Sequence, residues 1–241
     1  MLDGVSVEER QAIIAIQKIA GYHFRFKVEG KQVTELTLHS GNDAEMIDPA
    51  LRKLSNLKNL QFHGSRLTDA GLASLGQLKK LRSIYMNGGS VADMGLEAFR
   101  QAPQLTSIHF YGMSGITDEG LKSLGTLKKL KYLRLYRDDS LKPGFKGPGI
   151  TDAGLAHLKD LTELESLDLM GQDITDAGLE HLKKMKKLKQ LFLSGPGISD
   201  RGLDHLNALD RLERLHLYQT QTTPAGQAEL EAKLPKLQIS G

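Results

Sequence analysis

The chain reads as an α/β solenoid: a right-handed horseshoe with a concave parallel sheet of about nine short strands and helices on its convex side. Three observations predict this. The pattern Leu-x-x-apolar-x-apolar recurs from end to end, as "LKNLQF" at 57, "LTSIHF" at 105 and "LERLHL" at 212. The central apolar residues of successive copies are Leu36, Leu60, Ile84, Ile108, Leu133, Leu167, Leu191, Leu215 and Leu237, spaced 24, 24, 24, 25, 34, 24, 24 and 22 apart. Between the copies runs a second pattern of different period, as in "ITDAGLAHLKDL" and "ISDRGLDHLNAL".

Each half of the repeat predicts its own element. The alternating half suits a short strand with one buried face. In the other half leucines fall three apart, which puts one apolar stripe on a short helix. Thr or Ser before Asp marks the helix start, where a side-chain oxygen accepts from an orphan backbone N–H. The following glycine, such as Gly71 or Gly154, permits close packing against the next coil. A strand–helix unit repeated in one direction makes the strands parallel. Strands stack ~4.8 Å apart whereas helices need roughly 10 Å, so the stack curves with strands inside.

The ends read as caps. Residues 1–32 supply an amphipathic helix, with Ile13, Ile16 and Ile19 inward, and a strand turning back at Glu29–Gly30. Residues 33–221 hold the repeats, and 222–241 close the stack with a helix opened by Pro224 and an edge strand. All of this is expected to form one structural domain.

On these motifs the chain resembles leucine-rich-repeat proteins over residues 33–241. Its "TDAGL" helix starts are similar to the 24-residue GALA-type and cysteine-containing subclasses. The resemblance implies the horseshoe fold. It departs where the family often has Asn or Cys after the strand; here stand Gly64, Gly88, Gly112, Gly171 and Gly195, so no asparagine ladder is expected. GALA proteins can carry an F-box, but the residues before the first repeat are too few for one, and no ubiquitin-ligase adaptor role is expected.

Composition narrows the function. With 32 basic and 29 acidic residues the net charge is +3, which does not favour nucleic acid or an anionic membrane. The absence of cysteine rules out disulfides, cysteine-bound zinc and thiol nucleophiles. The N-terminus has neither signal-peptide nor membrane-span character. The compartment stays open, and a monomer is expected. No Ser-His-Asp order, phosphate loop or HExxH motif occurs, so no catalysis, cofactor or metal is expected. His39 and His63 share a register but lack a third ligand; His157, His181 and His205 follow from repeat copying; and Asp138 and Asp139 lack the spacing of a calcium loop. Asp69, Asp118, Asp152, Asp176 and Asp200 read as helix caps. The lysine pairs, such as Lys79–Lys80 and Lys128–Lys129, read as solvated corners at helix ends.

The residues flanking each central position face the concave side. One after the centre come Tyr85, His109, Arg134, Asp168, Phe192, His216 and Gln238, among others; three after come His39, His63, Tyr111, Tyr136, Met170, Tyr218 and Ser240. Tyr132, one before a centre, joins them, which puts five of the six tyrosines on one surface. Amphipathic rings gathered on a sheet are what binding surfaces are made of. The expected function is therefore a non-catalytic module holding a protein or peptide on its concave face, against the alternatives of a scaffold contacted on its convex side or a carbohydrate-binding strip. The lengthened spacing of 34 marks an insertion at 137–149. It leaves the fifth repeat strand directly after Tyr136, beside Tyr111, Tyr132 and Arg134, and carries Phe145, an apolar residue with no repeat position to fill. Phe145 is added to the expected site.

Overall fold

The structure is a computed structural model that describes residues 2–21, 23–39, 44–64, 67–73, 75–112, 115–137 and 149–241. Helix α1 (Val7–Ala20) and strand β1 (Phe24–Glu29) precede β2 (Gln32–His39). Helices and strands then alternate: α2 (Ala44–Leu51), β3 (Asn59–His63), α3 (Asp69–Ala73), β4 (Ser83–Asn87), α4 (Asp93–Leu96), β5 (Ser107–Tyr111), α5 (Asp118–Leu124), β6 (Tyr132–Tyr136), α6 (Asp152–Leu158), β7 (Ser166–Asp168), α7 (Asp176–Leu179), β8 (Gln190–Ser194), α8 (Asp200–Asp204), β9 (Arg214–Tyr218), α9 (Pro224–Lys233) and β10 (Gln238–Ser240). Short 3₁₀ turns continue several helices, as at Glu97–Gln101 after α4 and His205–Ala208 after α8.

All ten strands form one sheet in sequence order. β1 runs antiparallel to β2, and the pairs from β2–β3 to β9–β10 are parallel. The repeat centres pair with one another, Leu36 with Leu60, Ile108 with Leu133 and Leu133 with Leu167. The last copy differs from the sequence expectation: Leu215 pairs with Ile239 rather than Leu237. Ile239 lies 24 residues after Leu215, so the last coil keeps the regular spacing that the motif at Leu237 would have shortened to 22. Ser240 thus stands beside His216, and Gln238 beside Arg214.

The core is the column of centres and the helix leucines facing them. Leu60, Leu72, Ile108, Leu133, Leu167 and Leu191 are fully buried, each contributing about 1.5–3 kcal/mol by leaving water. At the N-terminal end Ile13 and Ile16 are buried against this column and Ile19 is partly so. Ser6 caps α1 by accepting from the Glu9 N–H at 3.2 Å. The buried Glu9 carboxylate in turn accepts from Val33 N at 3.1 Å and Asn56 Nδ2 at 3.0 Å, tying the cap to β2 and to the turn before β3.

The aspartates after the helix-start threonines do not cap their own helices. Thr117, Thr151 and Thr175 do that, each hydroxyl accepting from the N–H two residues on. The aspartates reach the next coil. Asp93 accepts from Thr117 N at 2.8 Å and Thr117 Oγ1 at 2.6 Å; Asp118 does the same with Thr151, Asp152 with Thr175, Asp176 with Ser199 and Asp200 with Thr223. The motif glycine makes this possible, against the preceding coil rather than the next: a Cβ on Gly154 would collide with Asp118 Oδ1.

Glycines follow several of the strands. Gly112 adopts φ 71, open to glycine, and its N–H donates to Tyr136 O at 3.0 Å, so backbone bonds extend the sheet past the strand ends. The lysines at the corners cap carbonyls: Lys79 Nζ donates to Gly76 O and Gln101 O, both at 3.1 Å, and Lys128 Nζ to Gly125 O at 2.8 Å. Among the described residues no helix is long and apolar enough to cross a membrane.

Candidate concave binding face

The alternation of buried and half-exposed residues along each strand sends the flanking positions to the concave side. Register then sets rings from neighbouring strands within reach. His39 and His63 stack at 5.2 Å between centroids with planes 18° apart. His63 meets Tyr85 at 4.7 Å, Tyr85 meets Tyr111 at 5.5 Å, and Tyr111 meets Tyr136 at 6.0 Å. Five rings on five consecutive strands thus form one contact ladder from β2 to β6, with spacings typical of attractive ring pairs. His39 and His63 were not among the residues expected to form the site; their common register was the signal that could have placed them there. Tyr132 and Tyr218 also stand on this face and are exposed.

A second group covers β6 to β9. Arg134 Nη1 donates to Tyr111 Oη at 3.0 Å, and its guanidinium carbon lies 5.9 Å from the centroid of Phe192. Phe192 meets His216 at 6.1 Å, and His216 Nδ1 lies 3.1 Å from Ser240 Oγ. Arg134 starts on β6 and Phe192 on β8, so the arginine reaches across β7, where Asp168 stands in register with it. Asp168 is 8% exposed and so counts among the buried polar residues. Burial pushes its carboxyl above the usual range, while the Met170 N–H at 3.1 Å and the charges of Arg134 and His216 oppose that shift. Burial also holds His109 below the ordinary histidine range, with Arg134 adding to the effect; burial and then His39 do the same to His63.

Met170 does not join the ladder. β7 ends at Asp168, and Arg137 N donates instead to Met170 O at 3.0 Å. Here the chain on the two sides of the insertion is gathered by one side chain. The buried amide of Gln172 donates through Nε2 to Leu135 O at 2.7 Å and accepts from Ile150 N at 3.0 Å. Arg137 is buried beside it, its guanidinium against Gly149. Gln172 breaks the repeat pattern, and nothing in the periodicity assigns it this role. Phe145 and residues 138–148 lie outside the described residues. A depression of about 330 Å³ opens at this rim, lined by Tyr136, Met170, Ser194 and Tyr218 among others.

The concave face is an extended surface. Ten strands at ~4.8 Å give it a length of about 40 Å, enough with its rim to approach the ~800 Å² per partner of a standard interface. From β3 to β10 its inward positions carry no lysine and no glutamate, and their one aspartate is buried. Among the described residues no three His, Cys, Asp or Glu side chains gather to hold a metal.

Repeat length, parallel sheet and convex helices together define a leucine-rich-repeat horseshoe. Solved structures of the same fold include internalin C2 of Listeria monocytogenes, 18% identical with a TM-score of 0.58, the match covering 94% of this chain and 80% of that one. The plant peptide hormone receptor RGFR1, solved in complex with RGF2, is 16% identical with a TM-score of 0.55, covering 89% of this chain and 36% of the receptor chain. No family model matches the chain, and no curated protein does.

Proposed function

We propose that the protein is a non-catalytic binding module that holds a protein or peptide on its concave face. The observation carrying this reading is the unbroken ladder from His39 to Tyr136 on a surface without lysine or glutamate from β3 onward. Interfaces are enriched in aromatic residues and arginine and depleted of Lys, Glu and Asp, and anchors of binding energy cluster near the centre of the contact. Tyr85, Tyr111 and Tyr136 with His109 and Arg134 supply that centre. Tyr132 flanks it, Phe192, His216 and Tyr218 extend it, and Asp168 stands in register with Arg134. The insertion at 137–149, with Phe145, serves as a wall of the same site. The solved complex of the receptor RGFR1 with RGF2 is consistent with a peptide as partner. The 24-residue repeat with its Thr-Asp-x-Gly-Leu helix starts supports the GALA-type subclass, and the molecule works as a monomer.

The test is capture from native lysate by the wild type, by a Tyr85→Ala/Tyr111→Ala/Tyr136→Ala variant and by a convex Lys79→Ala/Lys128→Ala variant. Loss of the captured protein with the first variant alone supports the reading. Retention by the tyrosine variant and loss by the lysine variant moves the contact to the convex side.

A further inference from the structure

The charges of the concave face say which kind of partner it fits. From β3 to β10 the inward positions present Arg134 and Arg214 as fixed cations, and their one acid, Asp168, is buried. The rest of the molecule is built differently. Its lysines and acids alternate and pair, as in Lys131 and Lys189 on either side of Glu165, or Lys187 with Glu163 at 2.7 Å. At the β1 end Lys27 lies between Glu29 and Glu35 at 2.9 and 3.2 Å. Neither concave arginine makes an ion pair among the described residues. Arg134 stands in register with Asp168, yet the two form no salt bridge. Its guanidinium is instead held by the Tyr111 hydroxyl and the Phe192 ring. A guanidinium offers five N–H donors in a rigid fork, and among the described residues Arg134 spends one, on a neutral hydroxyl.

We infer that the concave face selects an acidic peptide segment, with one of its carboxylates seated on the preorganised guanidinium of Arg134 between Tyr111 and Phe192. This rests on the binding reading above and adds the chemistry of the partner. A carboxylate fits the fork bidentately, and charge-assisted bonds of this kind are the stronger ones. The neighbouring rings supply apolar contact for the intervening side chains, while Asn59, Gln61, Asn87 and Gln190 offer amides able to bond a peptide backbone. On the strands from β3 to β10, two fixed cations and no lysine make a poor track for a phosphate backbone, which is held by several Lys and Arg contacts.

Fluorescence anisotropy with labelled peptides of alternating Glu and Tyr, Gln and Tyr, or Lys and Tyr tests this, together with a labelled oligothymidylate. The Glu peptide should bind at least about tenfold more tightly than the Gln peptide, and the Lys peptide most weakly. Arg134→Gln should bring the Glu peptide to the level of the Gln peptide, while Arg134→Lys keeps part of the preference. Circular dichroism checks that these half-exposed variants stay folded. Failure of the Glu peptide to bind, equal binding of all three peptides, a Glu preference untouched by Arg134→Gln, or tighter Arg134-dependent binding of the oligonucleotide each overturns the inference. Equal binding that Tyr111→Ala weakens for every peptide would leave the concave-face reading standing. Binding indifferent to both Tyr111→Ala and Arg134→Gln would remove that reading as well.

Discussion

Asp118 accepts two hydrogen bonds from Thr151, one from its backbone N and one from its Oγ1, both at 2.7 Å, although 33 positions separate the two residues. The corresponding pair Asp93 and Thr117 is 24 apart. The coils on either side of the insertion are therefore stapled as tightly as uninterrupted neighbours.

That staple predicts an unusual response to a helix-favouring substitution. Glycine to alanine inside a helix ordinarily gains up to ~1 kcal/mol. At Gly154 the new Cβ would meet Asp118 Oδ1, so Gly154→Ala should destabilise instead. Asp118→Ala leaves the Thr151 N–H and hydroxyl without their acceptor and should cost about 1–3 kcal/mol. Urea unfolding of both variants checks this; a stabilised Gly154→Ala protein would contradict the staple.

Removing residues 138–147 restores the 24-residue spacing. Gln172 still joins Leu135 to Ile150 in the shortened chain. The deletion should leave the unfolding midpoint nearly unchanged while weakening partner binding. A large loss of stability would show that the insertion belongs to the core of the fold.

Gln172 itself is the more sensitive position. Gln172→Ala strands a buried carbonyl and a buried N–H, and each unsatisfied group costs about 1–3 kcal/mol. Unfolding should therefore ease by about 2 kcal/mol or more, and amide exchange at Ile150 should quicken. Unchanged exchange at Ile150 would refute the clasp.

The histidines give stability a pH dependence whose sign follows from burial. Folding holds His63 and His109 below their ordinary range. The unfolded chain then binds more protons near pH ~6.5, so stability is full above that range and falls on acidification. Asp168, pushed up by burial, works in the opposite direction closer to the carboxylate range. The unfolding midpoint should be lower at pH ~5.5 than at ~7.5. A His63→Gln/His109→Gln variant should show a shallower dependence, and the same slope in the variant would place the effect elsewhere.

The frame of this molecule was legible because its core repeats. Leucines at fixed spacing set the strands, and threonines set the helix starts. The role of Asp118 was less legible, since capping and inter-coil bonding demand the same residue beside the same threonine. Gly154 was the clue: a close approach explains a glycine that capping does not need. The concave columns followed from alternation, but alternation says nothing of depth, so Asp168 gave no sign that it would be buried. Ile239 escaped the motif because "LPKLQI" mimics it two residues early, although 24 residues after Leu215, the regular spacing, leads to Ile239. Gln172 and Glu9 each act through two bonds that no other repeat copies, which leave no periodic trace.

The central claim, that the ring ladder around Tyr111 is the binding surface, is tested most directly by titration calorimetry with the captured partner. Tyr111→Ala and Tyr136→Ala should each lose more than about 1 kcal/mol of affinity, while Lys79→Ala and Lys128→Ala on the convex side should match the wild type. Equal affinity across all of these proteins would contradict the claim and place the site elsewhere on the molecule.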